Sequence, residues 1–222
     1  MNCRFCGNNT AEFEVKNKKY YQCTICKGVF LDEIHFLTPE KQKERYELHN
    51  NSLTDMGYKQ FLEQFALPVL DFCKKKKKTI DSILDYGSGP SPALLELLEE
   101  YKKNSILDAD ITLLGWDPFF MNGDMENFQK VSLITCLEVV EHFENPLVDF
   151  QKISTLCKKG GILSIGTMEV PEEKSIFYKW WYKDDPTHVS FYSEKAIQKC
   201  GERSGFSYLG KINSRIFVFE KL

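Results

Sequence analysis

The sequence lacks the features of a secreted or membrane protein. Its first residues contain no apolar core of a signal peptide, and no apolar run is long enough to span a bilayer. The net charge of −3 excludes a strongly basic surface for bulk nucleic acid, although a local basic patch is compatible with it. Internal repeats are absent, and the lysine run 74–78 is the one low-complexity stretch. We therefore expect a soluble, cytoplasmic protein without a membrane partner, whose oligomeric state the sequence leaves unknown.

Cysteine, in contrast, is plentiful: the chain of 222 residues has eight. In a reducing compartment, cysteines favour metal binding and free thiols over disulfides. Four of them form two Cys-x-x-Cys pairs, at Cys3, Cys6, Cys23 and Cys26. This spacing is typical of a zinc ribbon, in which four thiolates close a tetrahedral site and leave no open position for catalysis. A thioredoxin-like redox pair is the alternative, but it requires a βαβ context that this short segment lacks.

We expect the zinc ribbon to occupy residues 1–36, with hairpin arms at 12–15 and 19–22. It either staples a small subdomain that could not otherwise fold, or it recognises a substrate. The remaining cysteines have no paired spacing and are expected to be buried thiols: Cys73, Cys136, Cys157 and Cys200.

A strand, a glycine turn and a helix are predicted in the stretch 80–98. The apolar strand ends on Asp85, and the turn contains Gly87 and Gly89. Such a turn lies at the carboxyl ends of the strands in a doubly wound sheet, where ligands bind. The dinucleotide fingerprint fails, because Pro92 replaces its third glycine. Asp85 would repel a pyrophosphate, whereas it suits a ligand that carries an ammonium group.

The turn resembles the first motif of class I S-adenosylmethionine-dependent methyltransferases, acid-x-Gly-x-Gly-x-Gly, with Ser91 in place of the last glycine. Two further features extend the resemblance over residues 80–167. One is an apolar strand that ends on the acid at 117, and the other is a Lys-x-Gly-Gly sequence before a strand at 162–167. It implies an α/β fold in residues 79–222, with a Rossmann-like sheet of seven strands and helices on both faces. It also implies S-adenosylmethionine as the cofactor, held by Asp85, Tyr86, Gly87, Ser88, Gly89, Asp117, Pro118 and Cys136.

The same resemblance gives further expectations. Asp117 takes the place of the acid that binds both ribose hydroxyls in the family, and Asp124 is a candidate for its adenine-contacting acid. Residues 37–78 correspond to a helical lid or linker. Its candidate cofactor contacts are Tyr46, His49, Asn51 and Tyr58. In the alternative interpretation, these four are ordinary helix or loop residues. Further on, a helix at 147–157 is expected to end at the Gly160–Gly161 pair, and a terminal hairpin should follow at 206–220.

Candidate catalytic residues follow the predicted fourth strand. Glu138, Glu141 and His142 are spaced i, i+3 and i+4, so a helix would present all three on one side. The segment is similar to the Glu-x-x-Glu-His element of class I enzymes that include ubiquinone-biosynthesis O-methyltransferases. Small-RNA 3′-terminal 2′-O-methyltransferases hold magnesium with such a triad and a later histidine, for which His188 is the candidate.

Two interpretations of these residues remain open. A divalent metal, magnesium or another, would lower the pKa of a substrate hydroxyl. Alternatively, the glutamates hydrogen-bond the loop backbone, and His142 or His188 acts as a simple base. The aromatic residues at 180–182 either stack on a planar substrate or pack in the core.

The favoured function is O-methylation of a small molecule with S-adenosylmethionine as donor. Sugar C-methylation is one alternative, and RNA methylation with the zinc ribbon as the recognition element is another. RNA would then contact a basic group of side chains: Arg4, Lys16, Lys18 and Lys19. The non-enzyme alternative is an inactive zinc-ribbon adaptor with a methyltransferase-like core. The presence of all the candidate site residues argues against it: Asp85, Asp117, Glu138, Glu141, His142 and His188.

Overall fold

The computed structural model describes residues 1–48, 51–121 and 129–222. Its strands are β1 (Thr10–Val15), β2 (Lys18–Cys23), β3 (Val29–Leu31), β4 (Ser82–Tyr86), β5 (Thr112–Trp116), β6 (Val131–Leu137), β7 (Cys157–Gly166), β8 (Ser190–Phe191), β9 (Phe206–Ile212) and β10 (Ile216–Lys221). Its α-helices are α1 (Pro39–Glu47), α2 (Met56–Lys75), α3 (Ala93–Lys103), α4 (Pro146–Leu156), α5 (Lys174–Lys179) and α6 (Glu194–Arg203).

The main sheet has six strands within the described ranges, in the order β5-β4-β6-β7-β10-β9. β4 pairs in parallel with β5 and β6, and β6 pairs in parallel with β7. β10 is antiparallel to both β7 and β9, so the Rossmann-like α/β fold and its terminal hairpin are confirmed. Seven strands were predicted. The expected third strand falls between β5 and β6, where residues 122–128 lie outside the described part of the chain.

Helices cover both faces of this sheet. Successive side chains of a strand point to opposite faces, so Ile83 packs in a cluster with α2 and α3, whereas Leu84 packs in one with α4 and α6. Every residue of β4 is buried, as expected for a parallel strand between two helical layers. The carboxyl ends of β4, β5 and β6 therefore meet at one edge of a closed core.

The predicted glycine end of the helix at 147–157 is wrong. α4 ends at Leu156, and β7 begins at the next residue, so Gly160 and Gly161 lie within the strand. The pairing of β6 with β7 shifts its register here, from Val131 opposite Cys157 to Leu133 opposite Ile162, so β7 has three extra residues at this point. A Cβ on Gly161 would lie 2.8 Å from the carbonyl oxygen of Lys158, so this irregularity leaves no room for a side chain.

The cysteine-rich segment forms a second sheet with the order β1-β2-β3-β8. β1 and β2 make the predicted hairpin, whose turn residues Lys16 and Asn17 both have positive φ, as a two-residue hairpin turn requires. Phe5 and Phe30 belong to the same buried cluster as the helices α4 and α6. The small sheet and the main sheet thus share one hydrophobic core.

Two helices connect the sheets. α1 begins after Thr38 with Pro39 at its first position, as predicted, and it has no buried residue. α2 begins at the N-cap Asp55, whose carboxylate accepts the backbone N–H groups of Gly57 and Tyr58. Among the described helices, none is long and apolar enough to cross a membrane.

Candidate active site

A cavity of about 1040 Å³ opens over the carboxyl ends of β4, β5 and β6. Seven of the eight predicted cofactor contacts line it: Asp85, Tyr86, Gly87, Ser88, Gly89, Asp117 and Pro118. Three of the candidate lid residues line it as well: Tyr46, Asn51 and Tyr58. The other two candidates, His49 and Asp124, lie outside the described residues.

Cys136 is the exception among the predicted cofactor contacts. Its side chain is fully buried in the core, and it does not line the cavity. The preceding residue, Thr135, points to the opposite face of β6 and donates its hydroxyl to Asp85. Because side chains alternate along a strand, Cys136 must then point away from that acid.

The glycine turn gives the cavity a wall of bare backbone. Gly87 has φ +84° and Gly89 has φ +68°, conformations that favour glycine. A Cβ on Gly87 would lie 2.5 Å from Cγ2 of Val139, whereas a Cβ on Gly89 would meet no described atom within 4 Å. A ligand can therefore approach the backbone at Gly89 closely.

Asp117 lies beside this turn with its carboxylate held in place. Its Oδ2 accepts the backbone N–H of Gly89 at 3.0 Å, and its Oδ1 accepts that of Phe119 at 2.8 Å. A carboxylate oxygen has two lone pairs, so each retains the capacity to accept a second hydrogen bond from a ligand hydroxyl. This geometry fits the predicted contact with a pair of ribose hydroxyls.

Asp85 is the second acid of this end of the cavity. It is 5% exposed, and its Oδ1 accepts the hydroxyl of Thr135 at 3.1 Å. Burial raises the pKa of Asp85 to about 7, and the charge of Asp117 contributes to the increase. A cation placed here would restore the ionised form, because opposite charges stabilise each other in a buried site.

The two histidines stand together in the cavity. The rings of His142 and His188 have centroids 4.8 Å apart, and both residues line the cavity. Nδ1 of His142 lies 3.1 Å from the carbonyl oxygen of Thr187, and Nδ1 of His188 lies 2.7 Å from that of Tyr182. A carbonyl oxygen only accepts, so in each neutral ring Nδ1 carries the proton and Nε2 carries the free lone pair.

Both imidazoles are held in the neutral form. Burial lowers the pKa of His142, and burial together with the neighbouring His142 lowers the pKa of His188 to about 3. A base this weak captures a proton poorly near neutral pH. A neutral ring with a free nitrogen is, however, the form that binds a metal ion.

The two glutamates do not share a helix face, contrary to the prediction. Glu138 has φ +53° and precedes a single 3₁₀ turn, Val140–His142. Its carboxylate lines the cavity and accepts Nη2 of Arg215 at 2.8 Å. Glu141 does not line the cavity and is fully buried. Its two oxygens accept the hydroxyl of Tyr182 at 2.6 Å and that of Thr167 at 3.0 Å. Burial raises the pKa of both glutamates, and Arg215 opposes this effect at Glu138.

Two groups of side chains in the described residues could hold a metal ion. In the first, the ligand atoms of Glu141, His142 and His188 all lie within 4.8 Å of one another, and Glu138 is not part of it. The second consists of the four paired cysteines, whose sulfur atoms also lie within 4.8 Å of one another.

The cysteine group has the dimensions of a tetrahedral site. Sγ of Cys3 lies 3.6 Å from that of Cys26, and Sγ of Cys6 lies 3.4 Å from that of Cys23. Sulfurs at 2.3 Å from a tetrahedral zinc ion would be about 3.8 Å apart. Nitrogen–hydrogen donors already point at three of the sulfurs, from Phe5, Asn8, Ile25 and Cys26.

Some residues of the cavity were not expected from the sequence. Arg45 and Asp185 line it as an ion pair of 2.8 Å, and Arg215 reaches it from the turn between β9 and β10. Each contact joins parts of the chain that are far apart, so no local pattern indicated it. Of the aromatic residues at 180–182, Trp180 and Tyr182 are buried, whereas Trp181 is 68% exposed and lines the cavity.

Comparison with known proteins gives one family and a common fold. A family model described as a methyltransferase domain matches residues 58–210. No curated protein matches the chain. The solved structure of TnmH is 12% identical, with 76% of this chain and 57% of TnmH covered and a TM-score of 0.51. An O-methyltransferase family 2 protein from Planctomyces limnophilus, in complex with apigenin, is 14% identical, with 64% of this chain and 51% of that protein covered and a TM-score of 0.48. Magnesium protoporphyrin IX methyltransferase from Synechocystis, with bound SAH, is 14% identical, with 75% of this chain and 84% of that protein covered and a TM-score of 0.46. The chain thus matches about half the length of the Planctomyces protein, and identities this low show the fold alone.

Proposed function

The chain belongs to the family of methyltransferase domains, and from this premise we propose that it transfers a methyl group from S-adenosylmethionine to an oxygen atom of a small molecule. The observation that carries the choice of an oxygen acceptor is the pair of neutral histidines, His142 and His188, which line the cavity in the region that we call its acceptor end. Both leave Nε2 free and fix Nδ1 on a backbone carbonyl. Such groups can accept a hydrogen bond from a hydroxyl, or bind a metal ion that lowers the pKa of that hydroxyl.

The cofactor fits the glycine end of the cavity. Asp117 would hold the ribose hydroxyls, the backbone at Gly87 and Gly89 would approach the amino-acid part, and Asp85 would pair with its ammonium group. When bound, the cofactor supplies a methyl group on a positively charged sulfur. The residues of the chain contribute mainly by holding the acceptor oxygen in line with that group, since orientation alone can lower a barrier by several kcal/mol, about 7–11 in the best cases.

We further propose that the acceptor end binds a divalent metal ion through Glu141, His142 and His188. Two imidazole nitrogens and one carboxylate favour a transition metal over magnesium, which prefers oxygen ligands. The backbone carbonyls of Thr187 and Tyr182 would fix the rings as outer partners, an arrangement common to metal-binding histidines. When bound, the ion would lower the pKa of a substrate hydroxyl. Glu138 would instead contact the acceptor directly or through Arg215.

The charge of the cavity argues for a small molecule and against RNA. Among the described residues of its lining, acids outnumber cationic side chains by six to three. The acids are Asp85, Asp117, Glu138, Glu144, Asp149 and Asp185, and the cationic residues are Arg45, Lys152 and Arg215. Phosphate groups would be repelled by this excess of carboxylates. A volume of about 1040 Å³ is at the upper end of the range for small-molecule sites, which leaves room for an acceptor beside a cofactor.

We also propose that the four paired cysteines hold a structural zinc ion. The sulfur distances and the N–H donors that point at them support this assignment, because backbone N–H groups stabilise thiolates. Four thiolates leave no open position, so this ion would take no part in the transfer.

The test combines turnover with metal content. Purified protein is incubated with S-adenosylmethionine and either hydroxylated small molecules or RNA, and S-adenosylhomocysteine is measured. Turnover is expected with the small molecules alone. In parallel, bound metal is counted per chain. His188→Ala should lose one metal equivalent and retain the zinc of the cysteines, whereas Glu138→Gln, which alters a neighbouring acid of the cavity, should lose none. Equal metal content in the wild type and His188→Ala would exclude the proposed second metal, and turnover with RNA alone would exclude a small-molecule acceptor.

A further inference from the structure

The small sheet reaches the histidine pair through its last strand. β8 is supplied by the segment directly after His188, and it pairs with β3, with Phe191 opposite Val29 and Ser190 opposite Phe30. The backbone N–H of Leu31 extends this pairing to the carbonyl oxygen of Val189 at 2.9 Å. The chain that carries His188 is therefore the edge strand of the cysteine-rich sheet.

The same segment also fixes the turn that carries His142. The backbone N–H of Val189 donates to the carbonyl oxygen of Glu141 at 2.9 Å. The hydroxyl of Ser190 donates to the carbonyl oxygen of Phe143 at 2.7 Å, and that of Tyr192 donates to the carbonyl oxygen of Val140 at 2.9 Å. β8 thus connects the cysteine-rich sheet on one side to the 3₁₀ turn on the other.

A cysteine ligand candidate is tied directly to this connection. The hydroxyl of Ser193, the N-cap of α6, donates to the backbone carbonyl oxygen of Cys26 and accepts the N–H of Ala196. The ring of Phe5, which lies between the first two cysteines, packs on the ring of Tyr192 with centroids 4.9 Å apart. The cysteine loops therefore contact the two residues that directly follow β8.

We propose that the four-cysteine sheet is a positioning element for the histidine pair, and that weakening its contacts with the residues after β8 displaces His142 and His188 without disturbing the glycine end of the cavity. The contacts described above all converge on the 3₁₀ turn and the residues that follow His188, and none of them involves Gly87, Gly89 or Asp117. This inference rests on the proposed function only in its prediction for turnover. The positions of the two rings can be measured without any acceptor.

Ser193 allows a matched test. Ser193→Asp retains an N-cap acceptor for α6 but has no proton to donate to Cys26, whereas Ser193→Thr retains both functions. Each protein is labelled with ¹⁵N-histidine, and the imidazole resonances, the zinc content, the affinity for S-adenosylhomocysteine and kcat are measured. We expect Ser193→Asp to shift the resonances of both histidines and to lower kcat about tenfold, since small misplacement of reacting groups costs this much or more. Affinity for S-adenosylhomocysteine should change by less than twofold, and Ser193→Thr should behave as the wild type.

Unchanged histidine resonances in a folded Ser193→Asp protein would overturn the inference, as would a loss of cofactor affinity in proportion to the loss of kcat. If Ser193→Asp does not fold, Phe5→Leu, which weakens the contact of the cysteine loop with Tyr192, replaces it with the same expected results. The wild type separates the two proposals: absence of turnover with every acceptor contradicts the proposed function and leaves the spectroscopic result valid.

Discussion

The hydroxyl of Tyr182 donates a hydrogen bond of 2.6 Å to Oε1 of Glu141, a carboxylate with no exposed surface. Only this hydroxyl and that of Thr167 are described as side-chain donors to the acid. A buried carboxylate that loses a donor still bears the full free-energy cost of its removal from water, so losing the donor costs more than the hydrogen bond itself contributes. The stability of the acceptor end of the cavity therefore depends on Tyr182.

Tyr182→Phe should lower the free energy of unfolding by about 1–3 kcal/mol, because Glu141 remains buried with one donor fewer. Urea denaturation at pH 7 measures the change. Tyr178→Phe is the control, since Tyr178 lies in the same segment and is 43% exposed. If both variants lose the same amount of stability, the hydroxyl of Tyr182 has no special role.

Asp85→Asn should stabilise the protein at pH 8. Burial raises the pKa of Asp85 to about 7 in the folded state, above its value of about 3.9 in an unfolded chain. Between these values the folded state binds more protons, so stability falls as pH rises, and at pH 8 the full cost is present. The substitution removes this cost, for a gain of about 2–4 kcal/mol that disappears towards pH 4.

Asp81, at the other end of the same stretch, provides a control of opposite sign. Its hydrogen bond with Lys158 lowers the pKa of Asp81 to about 2. This acid stabilises the folded state above pH 4, and Asp81→Asn should therefore destabilise it there. Thermal unfolding across pH 4 to 8 should show a gain of stability that grows with pH for Asp85→Asn, and a loss of stability that stays constant for Asp81→Asn. A gain of stability at pH 8 that persists unchanged at pH 4 would contradict the assignment to Asp85.

Local patterns predicted which residues of the glycine turn and of the following strand come together in the cavity. Gly87, Gly89 and Asp117 follow strands that end at the same edge of a parallel sheet, so their proximity depends on little more than the order of strands. Cys136 was assigned to the cofactor from a motif that takes no account of how side chains alternate between the two faces of a strand. Had Thr135 been assigned to Asp85, period-two alternation would have placed Cys136 in the core.

The acceptor end was predicted only in part. His142 and His188 were paired through a resemblance, and the structure brings their rings together. The separation of the glutamates was missed because the i, i+3, i+4 spacing assumes a helix, and the left-handed conformation of Glu138 breaks it. β8 was also missed, since a strand of two residues carries no periodicity that a sequence could reveal.

Cofactor binding should release protons near pH 7. An ammonium group placed beside Asp85 favours its ionised form, and an acid with a pKa of about 7 is half protonated at that pH, so up to about half a proton per chain should leave. Titration calorimetry with S-adenosylhomocysteine in two buffers of different ionisation enthalpy measures this number. Asp85→Asn should release less, and an unchanged release in this variant would assign the proton to another group.

Gly89→Ala should weaken cofactor binding more than it weakens folding. Alanine at φ +68° is strained by about 1 kcal/mol, and its methyl group would enter the cavity where no described atom lies within 4 Å. Gly210→Ala is the matched control, because Gly210 also has positive φ and open space around its Cβ but lies in β9, away from the cavity lining. Both variants should lose stability in urea denaturation. Only Gly89→Ala should raise the Kd for S-adenosylhomocysteine, by tenfold or more, because its methyl group occupies the space that the ligand needs. Equal Kd values for the two variants would mean that the cofactor does not approach the backbone at Gly89.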